Sequence, residues 1–129
     1  EHVRSWLHVL DFCEAIDTIM HKAPNFEIYN VSGEEKTNLE ILGMICRILG
    51  MDLNKYSEHV GDRPGADTRY AVNADKLKKQ LGWSHKHSLE KDLEEIVTWY
   101  KDNNLWWNKI KQKGEYLEHY KKQSKAQWY

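Results

Sequence analysis

Proline and cysteine are scarce in this chain, with two of each among 129 residues, and glycine numbers only seven. Such poverty in proline and glycine excludes collagen-like and low-complexity chains. Cys13 and Cys46 cannot staple a disulfide scaffold, and they lie too far apart for a Cys-x-x-Cys redox pair. Both fall on apolar helical stripes, Cys13 beside Phe12 and Ile16 and Cys46 beside Ile45 and Leu49, so both are expected as buried free thiols of a reducing compartment. No apolar run approaches the ~18–20 residues that cross a bilayer. Charge of one sign is lacking too: 19 Lys plus Arg against 20 Asp plus Glu leave −1, no general field for nucleic acid or an anionic membrane. What remains is a polar chain that is still 40% hydrophobic and 12% aromatic, enough for one soluble globular domain with a core. It opens on Glu1 with residues that already read as structure, which suggests a piece of something longer.

Residues 2–9 alternate roughly as a short strand, and apolar residues at 9, 12, 13, 16, 19 and 20 then repeat at helical spacing, giving a helix over 9–21 that Pro24 ends. Phe26 to Val31 reads as a second strand closed by Ser32-Gly33. Thr37-Asn38-Leu39-Glu40 has the spacing of a capping box and starts a helix over 38–49, which Gly50 stops in the left-handed conformation. Gly61-Asp62-Arg63-Pro64-Gly65 makes a turn. Asn73 caps a short helix stopped by Gly82; Ser88 caps a longer one with Leu89, Leu93, Ile96, Val97 and Tyr100 on its buried side. Short helical stretches follow around Trp106-Trp107-Ile110 and Tyr116–Tyr120. The mixture is α/β, or α+β as an isolated piece, weighted to helix in its second half.

Local motifs for chemistry are few. The glycines never fall as Gly-x-Gly-x-x-Gly or as a Walker loop, and no tyrosine has a lysine four places on. His85-Lys86-His87 lacks metal-site spacing and is expected as a solvated loop between helices. Six lysines between Lys109 and Lys125, interleaved with Tyr116 and Tyr120, suit single-stranded nucleic acid or a solvated helical face; the charge balance elsewhere favours the face. Arg4, Asn38 and Arg63 are individually unremarkable.

A resemblance changes their weight. Arg4-Ser5-Trp6-Leu7-His8-Val9-x-Asp11 resembles the Arg-Asp-Trp-Leu-x-Val-x-Asp segment of extended short-chain dehydrogenases. Tyr29-Asn30-Val31-Ser32-Gly33 and Thr37-Asn38-Leu39-Glu40 continue in register. The run Asp62 to Lys76, with Leu81-Gly82-Trp83 and the tail Trp99-Tyr100, Trp106-Trp107 and Gly114-Glu115-Tyr116, is similar to the dTDP-glucose 4,6-dehydratase family, over about residues 1–120. The resemblance implies a two-part cytoplasmic enzyme, a homodimer, with NAD bound by an N-terminal Rossmann domain and the dTDP-sugar gripped by the C-terminal part. Residues 1–129 would be that C-terminal portion, helix-rich with a few short strands, and residues 1–35 would complete the Rossmann domain. The cofactor loop and acid/base groups would lie upstream, leaving no catalytic residue here. Arg4, Asn38 and Arg63 would face the diphosphate and nearby nucleotide, joined by a tail tyrosine, Tyr116 or Tyr120. Guanidinium forks suit phosphate oxygens, and an amide can donate to a third. Ala66 stands where the family usually carries a histidine that helps hold the nucleotide. The other readings are a fragment of a related sugar-nucleotide epimerase or decarboxylase, and a stand-alone, non-catalytic interaction protein. The reaction implied for the full enzyme converts dTDP-glucose to dTDP-4-keto-6-deoxyglucose.

Overall fold

The computed structural model describes residues 2–59, 62 and 65–124, and of residues 120, 123 and 124 the backbone alone. The elements are β1 (Val3–Trp6), α1 (Val9–Lys22), β2 (Glu34–Thr37), α2 (Asn38–Leu49), α3 (Leu53–Tyr56), β3 (Arg69–Tyr70), α4 (Asp75–Leu81), α5 (Leu89–Asp102), α6 (Asn104–Lys111) and α7 (Gly114–Ser124). The chain is thus helix-rich with a small sheet. It divides into two compact units, Glu1–Ile41 with Thr68–Leu93 and Leu42–Asp67 with Glu94–Tyr129.

In the first unit the strands lie in the order β2-β1-β3. β1 pairs antiparallel with β2, Val3 opposite Thr37 through Trp6 opposite Glu34, and parallel with β3, Val3 opposite Arg69 and Arg4 opposite Tyr70. Gly33, just before β2, is there because of close approach. A Cβ on it would overlap the Trp6 carbonyl oxygen and come within 2.8 Å of the Leu7 Cα.

The core of this unit is Ala15, Ala74, Leu77 and Trp83, with Leu7, Ile19, Tyr29, Val31 and Leu81 packed on it. Ala15 lets α1 and α4 approach closely. α4 is capped by Ala74, one residue beyond the expected Asn73, whose side chain accepts from the Asp75 N–H (2.6 Å); it ends at Gly82 with φ 72°, as the spacing predicts.

The inward face of α1 is Asp11, Ala15 and Ile19, so the apolar stripe turns outward: Phe12, Ile16 and Met20 are exposed. Cys13 is exposed with them, against the expectation of burial, whereas Cys46 is buried. The expected strand over 26–31 does not form either, for its neighbour is helix α4 and not a strand. Tyr29 and Val31 enter the core, the Tyr29 hydroxyl donates to Gln80 (3.1 Å), and Lys76 Nζ donates to the Ile28 carbonyl (2.9 Å). Phe26, at φ 67°, and Ile28 point outward and are exposed.

In the second unit, α2 ends as expected at Gly50 (φ 65°). The Met51 N–H reaches the Cys46 carbonyl at 2.8 Å and the Gly50 N–H the Arg47 carbonyl at 3.2 Å, a Schellman closure. The Trp99 ring packs edge-on to Trp106, and the Trp107 indole donates to the Tyr100 carbonyl (2.8 Å). Tyr100 is exposed and not on a buried side as expected, although Val97 is buried. The two expected short helices near the C-terminus are α6 and α7.

Candidate functional site

The sheet gathers the charged residues. Side chains alternate along a strand and directly paired residues share a face. One face therefore carries Arg4 and Trp6 of β1, Glu34 and Lys36 of β2, and Tyr70 of β3. Arg4 and Lys36 are direct cross-strand partners, so two cations sit side by side on this face. The Arg4 guanidinium donates to the Val3 carbonyl (2.7 Å), and the Trp6 indole donates to the Lys36 carbonyl (3.1 Å). The opposite face carries Val3, Ser5, Glu35, Thr37 and Arg69. There Arg69 forks onto Glu35 with bonds of 2.8 and 2.7 Å.

β2 runs straight into α2 through the expected capping box. Thr37 Oγ1 accepts from the Glu40 N–H (3.0 Å), and the Glu40 carboxylate accepts from the Thr37 N–H (2.7 Å) and hydroxyl (2.8 Å). These bonds to Thr37, backbone first and hydroxyl next, hold the Glu40 carboxyl below its ordinary value, with Lys36 adding to the effect. Asn38 follows as the first residue of α2, its N–H bonded to the His2 carbonyl at 3.0 Å and its side chain on the surface. Arg4 and Asn38 thus lie at the same end of the β1–β2 ladder. Arg63 lies outside the described residues. Tyr116 sits, partly exposed, on α7, and Tyr120 is on the same helix.

A second polar centre was not legible beforehand. Asp11, 1% exposed, accepts from the backbone N–H groups of Lys86 and His87, both at 3.1 Å, and contacts His87 Nδ1 at 2.9 Å. Burial raises its pKa, but these bonds outweigh burial and hold the carboxyl below its ordinary value. The Trp83 indole donates to the Asp11 carbonyl (3.2 Å), His8 stacks on His87 with centroids 4.0 Å apart, and His85 Nε2 meets the Ser32 carbonyl. Residues 85–87 therefore form an anchored loop, not the solvated one expected. The sequence signal was Asp11 alone on the inward side of α1.

β1 enters α1 through Leu7 and His8 without glycine, and His8 Nδ1 caps the helix by accepting from the Leu10 N–H (3.2 Å). That helix start, without glycine and capped by His8, does not fit a pyrophosphate. Among the described residues no group of three or more His, Cys, Asp and Glu is placed to hold a metal ion. None of the described helices is long and apolar enough to cross a membrane.

Comparison with known proteins places this arrangement in a class. Similar solved structures include extended short-chain dehydrogenase dehydratases. The model of the GDP-mannose 4,6 dehydratase family matches residues 1–96, and the chain belongs to that family. Within it, the chain is 40% identical over 115 residues to the dTDP-glucose 4,6-dehydratase of Xanthomonas campestris pv. campestris, covering 82% of this chain and 33% of that one. The crystal structure of dTDP-glucose 4,6-dehydratase from Bacillus anthracis in complex with NAD superposes with a TM-score of 0.78 at 44% identity, covering 84% of this chain and 34% of that one. The dTDP-glucose 4,6-dehydratase from Streptomyces venezuelae, solved with NAD and TYD bound, gives 0.78 at 34% identity, covering 82% and 33%. The chain spans about a third of the length of the relatives it matches.

Proposed function

We propose that this chain supplies the nucleotide-sugar grip of a cytoplasmic, NAD-dependent dTDP-glucose 4,6-dehydratase, which converts dTDP-glucose to dTDP-4-keto-6-deoxyglucose. The observation that carries the reading is that Arg4 and Lys36 are cross-strand neighbours on one face of the sheet, at the end of the ladder where Asn38 begins α2. Its chemistry suits a diphosphate, and the relatives matched at 34–44% identity are named for a dTDP-sugar.

In this reading Arg4 and Arg63 bind phosphate oxygens, Asn38 donates its amide to the same group, and Tyr116 or Tyr120 contacts the nucleotide. The present residues position substrate. Hydride transfer and acid/base work belong to the other two thirds of such an enzyme, with residues 1–35 completing its NAD domain. The chain needs neither nucleic acid nor membrane, in keeping with its charge balance, and the whole enzyme works as a homodimer.

Two variants test the reading in the whole protein. Charge-assisted bonds at a sheltered site contribute about 1.5–3 kcal/mol each. Arg63→Ala and Arg4→Ala are therefore each expected to weaken dTDP binding roughly tenfold or more by calorimetry, with NAD binding intact. Unchanged dTDP affinity in both would sink the assignment. Residues 1–129 alone are expected to show neither NAD binding nor dehydration of dTDP-glucose; turnover above a heat-killed control would overturn that division of labour.

A further inference from the structure

We infer that the Arg69–Glu35 ion pair is a positioning clamp for this grip, locking the two outer strands across β1 on the face away from Arg4. The inference rests on the proposed diphosphate site and adds two residues to it. β3 is only two residues long, held to β1 by the pairs Val3–Arg69 and Arg4–Tyr70 and by the Val3 N–H on the Thr68 carbonyl at 2.8 Å. So short a strand has little backbone bonding to fix its register, and a slip of one residue would turn its side chains to the wrong face. The outer strands lie about 10 Å apart, two strand spacings. Arg69 spans that gap above Val3 and Ser5 and takes both Glu35 oxygens in a fork. Such a fork fixes direction as well as distance.

The ion pair draws the outer strands together on the face opposite Arg4 and Lys36. The pair also neutralises Glu35, a carboxylate that would otherwise oppose a diphosphate bound one strand-thickness away. Arg69 in turn holds the Glu35 carboxyl below its ordinary value, and Glu35 raises that of Arg69. Both side chains are substantially exposed, so the pair adds little to global stability. Its effect should appear in the geometry of the grip.

The test is dTDP affinity by calorimetry and the thermal midpoint, in the whole protein, for Arg69→Gln, Glu35→Gln and the exchanged pair Glu35→Arg with Arg69→Glu. A clamp requires both single variants to lose affinity, roughly three- to tenfold, with midpoints within about 2 °C of the parent. The exchanged pair should recover most of the loss. If Arg69→Gln weakens binding while Glu35→Gln leaves it unchanged or tightens it, Arg69 is a direct ligand and the clamp is wrong. Unchanged affinity in both singles, or losses that follow a falling midpoint without recovery in the exchanged pair, also overturns it. If the parent does not bind dTDP, or Arg4→Ala and Arg63→Ala leave binding unchanged, the proposed function fails and takes the clamp with it. Binding that depends on Arg4 but not on the ion pair defeats the clamp alone.

Discussion

Asp11 is a buried carboxylate of the first unit, 1% exposed beside Ala15 on the inward face of α1. Its side chain is enclosed, yet every bond it receives comes from the loop at 86–87, so one carboxylate ties α1 to the chain that leads into α5. Asp11→Ala would leave the partly buried Lys86 and His87 N–H groups without their carboxylate, and should lower stability by ~1–3 kcal/mol in urea titrations. The pH dependence follows from the lowered carboxyl pKa. Below its ordinary value of 3.8 the unfolded chain takes up the proton first, while the native carboxylate still holds its charge. The stability that Asp11 contributes is thus complete above pH 3.8 and lost as pH falls through the lower native value. Denaturation of the parent and of Asp11→Asn should differ most near neutrality and converge in acid. A constant difference down to the acid end would show that the charge plays no part.

At the scale of elements, the helices were legible where spacing and caps agreed. α2 is the clearest case: Thr37, Glu40 and Gly50 announce both of its ends, and the bonds they make are those their spacing requires. Thr37→Ala removes one half of that box and should cost about 1 kcal/mol, read as a lower urea midpoint with unchanged slope. α3 lacked such a signal beyond Asp52, whose side chain accepts from the Asn54 N–H at 3.0 Å. Strands were harder. β2, Glu34-Glu35-Lys36-Thr37, has no apolar alternation because its side chains serve an ion pair, a bond to the Leu89 N–H and a helix cap, and only its pairing with β1 makes it a strand. Phe26 to Val31 errs the other way: its pattern says strand, Tyr29 and Val31 pack on the core, and no ladder forms because α4 lies beside it. For the candidate site, the sequence and its resemblance brought out Arg4 and Asn38. Lys36, Glu35 and Arg69 were hidden, since a cross-strand partner is a property of register and not of spacing.

On the scale of the whole molecule the surface of the first unit is the informative feature. Phe12 (46% exposed), Ile16 (42%) and Met20 (76%) line the outward side of α1, and Phe26 and Ile28 (82%) stand on the segment that follows it. Monomers rarely leave apolar patches larger than a few hundred Å² bare. In our proposal the other two thirds of the enzyme covers this face. Residues 1–129 produced alone would then lack the cover, and a second copy is the readiest substitute. They should associate with rising concentration in light scattering and bind a hydrophobic dye. Ile16→Ser with Met20→Gln should reduce both signals while moving the thermal midpoint little, because neither side chain belongs to the core of Ala15, Leu77 and Trp83. A monomer at all concentrations, with a sharp transition and no dye bound, would show that the 129 residues cover their own surface and would count against α1 as a face built for another part of the protein.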